Sequence, residues 1–207
     1  GEFVESELGL IPSGWTCRSV YDSAQYINGA AFQKLQPNED KKGWPIIKIA
    51  ELKNGITNQT LFTEHEVDEK YRLENGDILF SWSGNPDTSI DIFIWTGGKA
   101  WLNQHIFRVV PNQSDEKYIV YYMLKSLLPT FAEIARNKQT TGLGHVTVSD
   151  LKRMFSAIPP QKVIKSFNAI VAPLYQKRYI NLLEIRLKRF SISLFNRCLV
   201  PGQIARL

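Results

Sequence analysis

Lys53-Asn54-Gly55-Ile56-Thr57-Asn58-Gln59-Thr60 is almost entirely hydrogen-bonding chemistry. A carboxamide offers a donor and an acceptor in a pair that matches the edge of adenine, which suits Asn58 and Gln59, while an ammonium such as Lys53 meets guanine or phosphate. The same composition also makes a plain polar hairpin. Three further stretches carry comparable groups. Ser81-Trp82-Ser83-Gly84-Asn85 sets an aromatic ring among small polar residues, and Asn103-Gln104-His105 is competent for the same readout. Arg136, Lys138, Gln139, Thr140, Thr141, Gly142, Gly144 and His145 form a basic, glycine-bearing stretch. Its charges and amides suit phosphate, and its hydroxyls remain for bases. Against a contact role, Asn and His beside a strand often only satisfy backbone groups, and Trp82 fits a core better than a stacking platform.

Catalytic patterns are thin. Glu51-Leu52-Lys53, preceded by Asp40, imitates the acidic-x-Lys cluster of metal-dependent nucleases, in which carboxylates hold a cation and a lysine steadies the attacking water. Such triplets arise by chance in most chains of this length. Asn85-Pro86-Asp87 lacks the second proline and the aromatic of an adenine methylation motif, and no glycine-rich loop follows a strand to hold a nucleotide-like cofactor. His65, His105 and His145 are too scattered for a zinc site and have no nucleophile beside them. No catalytic residue, metal or cofactor is therefore expected. Cys17 and Cys198 sit at opposite ends without ligand spacing, which suggests a reducing compartment, by default the cytoplasm.

The elements that must position these groups follow from pattern. With 207 residues, 43% hydrophobic and 12% aromatic, the chain can bury a core and still carry an appendage. Short β segments are expected at residues 45–49, 77–82, 91–95 and 105–110, punctuated by Asn54-Gly55, Asn75-Gly76, Gly84-Asn85-Pro86 and Gly97-Gly98. They predict a twisted sheet or partial barrel. Across residues 115–137 the period changes: Tyr118, Tyr121, Tyr122, Leu124 and Leu128, then Phe131, Ile134 and Ala135, predict one or two amphipathic helices covering that sheet. No apolar run reaches the ~18 to 20 residues that span a bilayer, so no membrane role is expected.

After Pro159-Pro160 a run of some 40 residues holds only Pro173 and no glycine, and it reads as one long helix of roughly 55 to 60 Å. A helix of that length should project from a small domain and meet a partner. Ile180, Leu183, Leu187, Phe190, Leu194 and Cys198 form one apolar seam at steps of three and four, with Leu182, Ile185, Ile192, Phe195 and Leu199 as a second. A helix that folds back on its own domain is the competing reading. An interior proline predicts a kink at Pro173 or two consecutive helices. Charge divides at the same place: residues 1–150 hold 14 Lys/Arg and 19 Asp/Glu, net −5, whereas residues 151–207 hold 11 Lys/Arg and only Glu184, net +10. Either a solvated helix face or a polyanionic or acidic partner explains that basic excess.

Taken in order, Leu8-Gly9-Leu10-Ile11-Pro12-Ser13-Gly14-Trp15, Gly76-Asp77-Ile78-Leu79-Phe80-Ser81-Trp82-Ser83-Gly84, Leu102-Asn103-Gln104-His105, and Val148-Ser149-Asp150-Leu151-Lys152 leading to Ile158-Pro159-Pro160 resemble a type I restriction-modification specificity subunit. The resemblance is to one target recognition domain with its spacer helix, half of what a complete subunit of that family carries. Where the family commonly reads Pro-Pro then Leu-x-Glu-Gln, this chain reads Pro159-Pro160-Gln161-Lys162. The fold implied is α/β: a strand-rich recognition domain with peripheral helices, then a long protruding C-terminal helix that forms an antiparallel coiled coil with a partner. The expected division is residues 1–3 as a cloning remnant, 4–157 as the recognition domain, 158–200 as the helix and 201–207 as a tail. By resemblance the chain is non-catalytic, reads half of an interrupted site in double-stranded DNA, docks DNA methyltransferase (modification) subunits and reaches the restriction subunit through the complex. Pairing through the helix would give a homodimer on a palindromic site. The alternative is a helix-mediated protein interaction module without sequence-specific DNA binding, and salt dependence separates the two.

Overall fold

The computed structural model describes residues 1–38, 40–139 and 141–199, and at 189, 190 and 193–199 the backbone alone. Its strands are β1 (Phe3–Ser6), β2 (Gly9–Pro12), β3 (Thr16–Ser19), β4 (Ala24–Asn28), β5 (Trp44–Ile47), β6 (Phe62–Thr63) and β7 (Arg72–Leu73). They continue with β8 (Ile78–Ser81), β9 (Ser83–Gly84), β10 (Asp91–Ile94), β11 (Ala100–Leu102), β12 (Ile106–Pro111), β13 (Gly144–His145) and β14 (Phe155–Ile158). The helices are α1 (Ile49–Asn54), α2 (Lys117–Ser126), α3 (Leu128–Asn137), α4 (Val148–Arg153) and α5 (Gln161–Leu199).

Strand alternation decides the layering. Strands β10, β8, β12 and β4 form an antiparallel sheet in that order. Ile78, Phe80, Ile92, Ile94, Phe107 and Val109 join Val120, Tyr121, Leu124, Phe131 and Ala135 of α2 and α3 in one core cluster. The intervening Leu79, Phe93 and Ile106 join Ile47, Leu73 and Leu102 on the other side, because successive side chains leave a strand on opposite faces. Those partners belong to a second sheet, β6-β5-β11-β7, in which β5 and β11 are parallel. Beneath it Ile46 and Trp101 pack with Ala30 and Leu35 in a third cluster. The mixed α/β class and the sheet covered by two helices agree with the sequence pattern. Pro129 falls in the first turn of α3, where its missing N–H is not needed.

Two local expectations are corrected. Ile49 does not continue a strand; it opens α1, because the Glu51 carboxylate accepts the Lys48 amide at 3.0 Å and fixes a helix start there. The long helix starts at Gln161, while Ile158 still pairs with Thr16 in the β14–β3 ladder.

Helix α5 is continuous over 39 residues, so Pro173 does not divide it in two. Packing on both sides of the proline holds the segment helical. Ile164 and Tyr175 are buried, and the Tyr175 ring meets those of Tyr118 and Tyr121 edge-on, each at 5.1 Å. Asn168 donates to the Asp115 carbonyl at 2.8 Å, Gln161 bonds the Asp115 carboxylate, and Arg186 bonds the Thr96 carbonyl. The helix therefore lies along its own domain from Gln161 to Arg186, and the fold-back reading holds for that stretch. Leu182, assigned to the second seam, packs on its own core, and Leu183 is half-buried. Ile180, Ile185, Leu187 and Ile192 are exposed, with Leu187 at 65%. The side chains of Phe190, Leu194, Phe195, Cys198 and Leu199 lie outside the described residues.

Candidate nucleic-acid interface

Four sequence-distant segments meet through a series of contacts. At the end of α1, Lys53 Nζ reaches Ser89 Oγ at 3.2 Å. Ser89 lies against Gly84, where a Cβ would come within 2.7 Å of the serine Cβ, and the φ of +118° there also demands glycine. Gly84 and Ser83 pair with Gly144 and His145 as the β9–β13 ladder. Next to it, Trp82 donates its indole N–H to Asn28 Oδ1 at 3.1 Å and packs 5.3 Å from the His105 ring. Trp82 is thus half-buried with its polar end engaged, partly core and partly surface. His105 is exposed and holds a left-handed backbone, φ +76°, a conformation few non-glycine residues adopt. Arg136 closes the series with a pair to Asp87 at 2.9 Å.

One buried carboxylate holds the basic loop in place. Asp150 is 4% exposed and accepts from Lys138 Nζ at 2.5 and 2.7 Å, from the Thr147 amide at 2.7 Å, from Thr147 Oγ1 at 2.6 Å and from Arg153 at 2.9 Å. Burial alone would raise this carboxyl, but its bonds to Lys138, Thr147 and Arg153 outweigh that and hold it well below the usual carboxylate range. Because Lys138 and Thr147 bracket residues 139–146, Asp150 ties the two ends of the loop together. Gly144 then passes so near α3 that a Cβ would sit 2.0 Å from the Ala135 carbonyl oxygen.

The groups named from sequence divide accordingly. Lys53, Ser83, His105, Arg136 and His145 come together around the 81–89 turn, and Gln104 is tied beside them through its amide to the Ala30 carbonyl at 2.9 Å. Asn54 is exposed at the end of α1, and Thr57, Asn58 and Gln59 are exposed on the loop after it, where Asn58 Oδ1 accepts from Lys41 at 3.4 Å. Thr141 is exposed with φ +52°, and Thr140 lies outside the described residues. Ser81 is different: it is fully buried in β8, so its hydroxyl faces the interior. Asn103 is 5% exposed and donates to the Ala30 carbonyl, a backbone-satisfying role. Asn85 uses its Oδ1 to cap the amides of Asp87 and Thr88. Lys138 is engaged by Asp150.

Sequence reading missed Asn28, Asp87, Ser89, Asp150 and Arg153. Nothing local links Asp87 to Arg136, 49 residues away. Thr147-Val148-Ser149-Asp150 does carry a legible signal, the spacing of a capping box, which the structure forms at the start of α4. The nuclease-like triplet dissolves, since Glu51 is buried and bonds Thr60 Oγ1 at 3.1 Å besides capping α1. Among the described residues no three His, Cys, Asp or Glu side chains gather as metal ligands would. No described helix is long and apolar enough to cross a membrane.

Electrostatics favours the same surface. Of the head's net −5, residues 64–74 between β6 and β8 carry −3: Glu64, Glu66, Asp68, Glu69 and Glu74, all exposed, against Lys70 and Arg72. The 136–147 loop contains no acidic residue. Arg136 is 50% exposed in its pair with Asp87, and an exposed pair of this kind contributes only about 0–1 kcal/mol, so a phosphate can replace the carboxylate at little cost.

Comparison with known proteins bears on this arrangement. A family model, the type I restriction modification DNA specificity domain, matches residues 12–180. The chain is 26% identical over 200 residues to the MjaIX type I restriction enzyme specificity subunit of Methanocaldococcus jannaschii, covering 94% of this chain and 45% of that one. It is 25% identical over 169 residues to the EcoBI specificity subunit of Escherichia coli, covering 79% and 34%. Among solved structures, the HsdS subunit of Thermoanaerobacter tengcongensis shares the fold with a TM-score of 0.57 at 18% identity, over 90% of this chain and 45% of that chain. The chain thus spans less than half the length of these relatives. With the matched segment running from β2 through the domain and into α5, the chain belongs to the type I restriction-modification DNA specificity domain family.

Proposed function

We propose that this chain is a non-catalytic specificity component that reads one half of a bipartite, interrupted site in double-stranded DNA. The observation that carries the reading is the contact series joining Lys53, Ser83, His105, Arg136 and His145, from sequence-distant segments, around the 81–89 turn. Arg136, Lys53 and the amides of the 139–146 loop supply phosphate contacts. Gln104, His105, Asn58, Gln59 and His145 supply base-edge groups. Helix α5 pairs with a second copy, so that two recognition domains address a palindromic site, and its remaining exposed face docks a DNA methyltransferase subunit. Through that subunit the chain reaches the restriction subunit, and it works in the cytoplasm without a metal or cofactor of its own.

Selection from a randomised duplex library, followed by fluorescence anisotropy across a salt series, tests this. One interrupted sequence should be enriched, and affinity for it should fall steeply with salt. Arg136→Ala should reduce the slope of log K against log salt by about 1, as expected for one lost phosphate contact. Weak binding without sequence preference would refute DNA reading and leave a helix-mediated protein interaction module.

A further inference from the structure

From Ser13 to Pro160 the described residues leave two large apolar side chains exposed, Leu143 at 58% and Phe155 at 36%. A single apolar residue on a surface is ordinary, but the position of Leu143 is not. It lies in the 136–147 loop, which has no acidic residue, between Gly142 and Gly144 and two positions before His145. Burial alternates along this segment: Gly144 and Val146 are buried, Leu143 is exposed and His145 is half-buried. Period 2 therefore puts Leu143 and His145 on one outward face, with Ser83 opposite His145 in the β9–β13 ladder.

That face is held in register. A Cβ at position 144 would sit 2.0 Å from the Ala135 carbonyl oxygen, so a slip by one residue, which would bring Leu143 or His145 to that spot, is blocked. Beyond His145 the Val146 amide donates to the Trp82 carbonyl at 2.8 Å, and the Val146 side chain is anchored in the main core. Side chains two residues apart on a strand stand about 6.5 Å from each other, close to two base-pair rises of about 3.4 Å. Strands β9 and β13 form a two-stranded antiparallel ribbon, a shape that a major groove about 12 Å wide admits. Among the donors and acceptors of the base edges in that groove, the apolar group is the C5-methyl of thymine.

We infer that Leu143 reads a thymine methyl in the half-site, while His145 and Ser83 face the hydrogen-bonding edges of neighbouring base pairs. This rests on the DNA reading proposed above and adds to it a residue that recognises a base without a hydrogen bond. Contact with the methyl removes apolar surface of both partners from water, which favours thymine over cytosine at that position. The other use of an exposed leucine on DNA is a wedge that enters the minor groove and parts a base step. The ribbon argues against that use. Leu143 shares its face with His145 and Ser83, and two strands about 4.8 Å apart with their side chains are broader than a minor groove of roughly 6 Å.

Replacing thymine by deoxyuridine removes only the methyl. In the sequence enriched from the library, each thymine of the half-site, on either strand, is exchanged for deoxyuridine in turn, and Kd is measured by anisotropy. At one position wild type should bind about fourfold more weakly, the effect of one methyl withdrawn from an apolar contact. Leu143→Ala should bind the thymine and deoxyuridine duplexes alike there. Leu143→Met, apolar and of similar volume, should keep a preference for thymine. Arg136→Ala should bind both duplexes more weakly yet preserve their ratio, which separates methyl reading from a general loss of affinity. Leu143 is exposed, so both variants should fold, and circular dichroism with an unchanged Tm checks this. If specific binding persists but no thymine methyl depends on Leu143, or the enriched half-site has no thymine, the inference falls and the DNA reading stands. Deoxyuridine tolerated at every position, with a Leu143-dependent rise in 2-aminopurine fluorescence, would assign a minor-groove wedge and equally overturn it. Binding without sequence preference would sink the DNA reading, and this inference with it.

Discussion

Asp150→Asn removes one charge from the most highly connected side chain near the candidate interface while preserving its shape. The wild-type carboxylate takes five hydrogen bonds, two of them from the Lys138 ammonium and one from the Arg153 guanidinium. Bonds to charged groups contribute about 1.5–3 kcal/mol each, and breaking a fully buried pair costs about 3–5 kcal/mol. Here the cations are 33% and 70% exposed and rehydrate once released, which puts the expected loss at about 2–3 kcal/mol. For a chain of this length that corresponds to a Tm lower by roughly 5–10 °C. The pH dependence has a definite sign. Because the folded-state carboxyl lies below its ordinary value, its contribution is complete above about pH 4 and declines as pH falls further and the group protonates. The Tm gap between wild type and variant should therefore be full at pH 7 and shrink between about pH 4 and pH 2.5. Calorimetry at four or five pH values measures it. A gap under about 1 °C at pH 7, or one that stays constant down to pH 2.5, would refute the idea that this charge ties the loop ends together.

Two other substitutions probe the elements around the interface. Among the described residues the buried Tyr175 hydroxyl has no hydrogen-bond partner, so Tyr175→Phe should raise the Tm by about 2–4 °C, relieving roughly 1 kcal/mol of unsatisfied burial, and a fall of similar size would show that the hydroxyl is engaged. At Gly144 a Cβ would collide with the Ala135 carbonyl oxygen at 2.0 Å, so Gly144→Ala should cost about 2–3 kcal/mol in a denaturant titration and reduce DNA affinity, because β13 would have to leave β9; unchanged affinity would show that the 139–146 loop takes no part in binding.

Periodicity alone determined much of this protein. The short apolar runs at residues 78–80 and 106–110 between turn signals, the Tyr118, Tyr121 and Leu124 helix face and the glycine-free run after Pro160 fix their elements, because an apolar run bounded by turn residues and an apolar face at period 3.6 are local properties of the chain. Loops rich in Asn, Gln and His were legible as hydrogen-bonding chemistry for the same reason. Which of those side chains are available was decided by tertiary contacts that no local spacing encodes. Ser81 is turned inward by its strand phase, Asn103 bonds the Ala30 carbonyl 73 residues away, and Arg136 finds Asp87 across 49 residues. The helix shows the same division. Its length and apolar character were written in residues 161–199, but each apolar face looks alike in sequence. Only the packing of Tyr175 on Tyr118 and Tyr121 determines which face the domain occupies, and thereby which stripe remains for another chain.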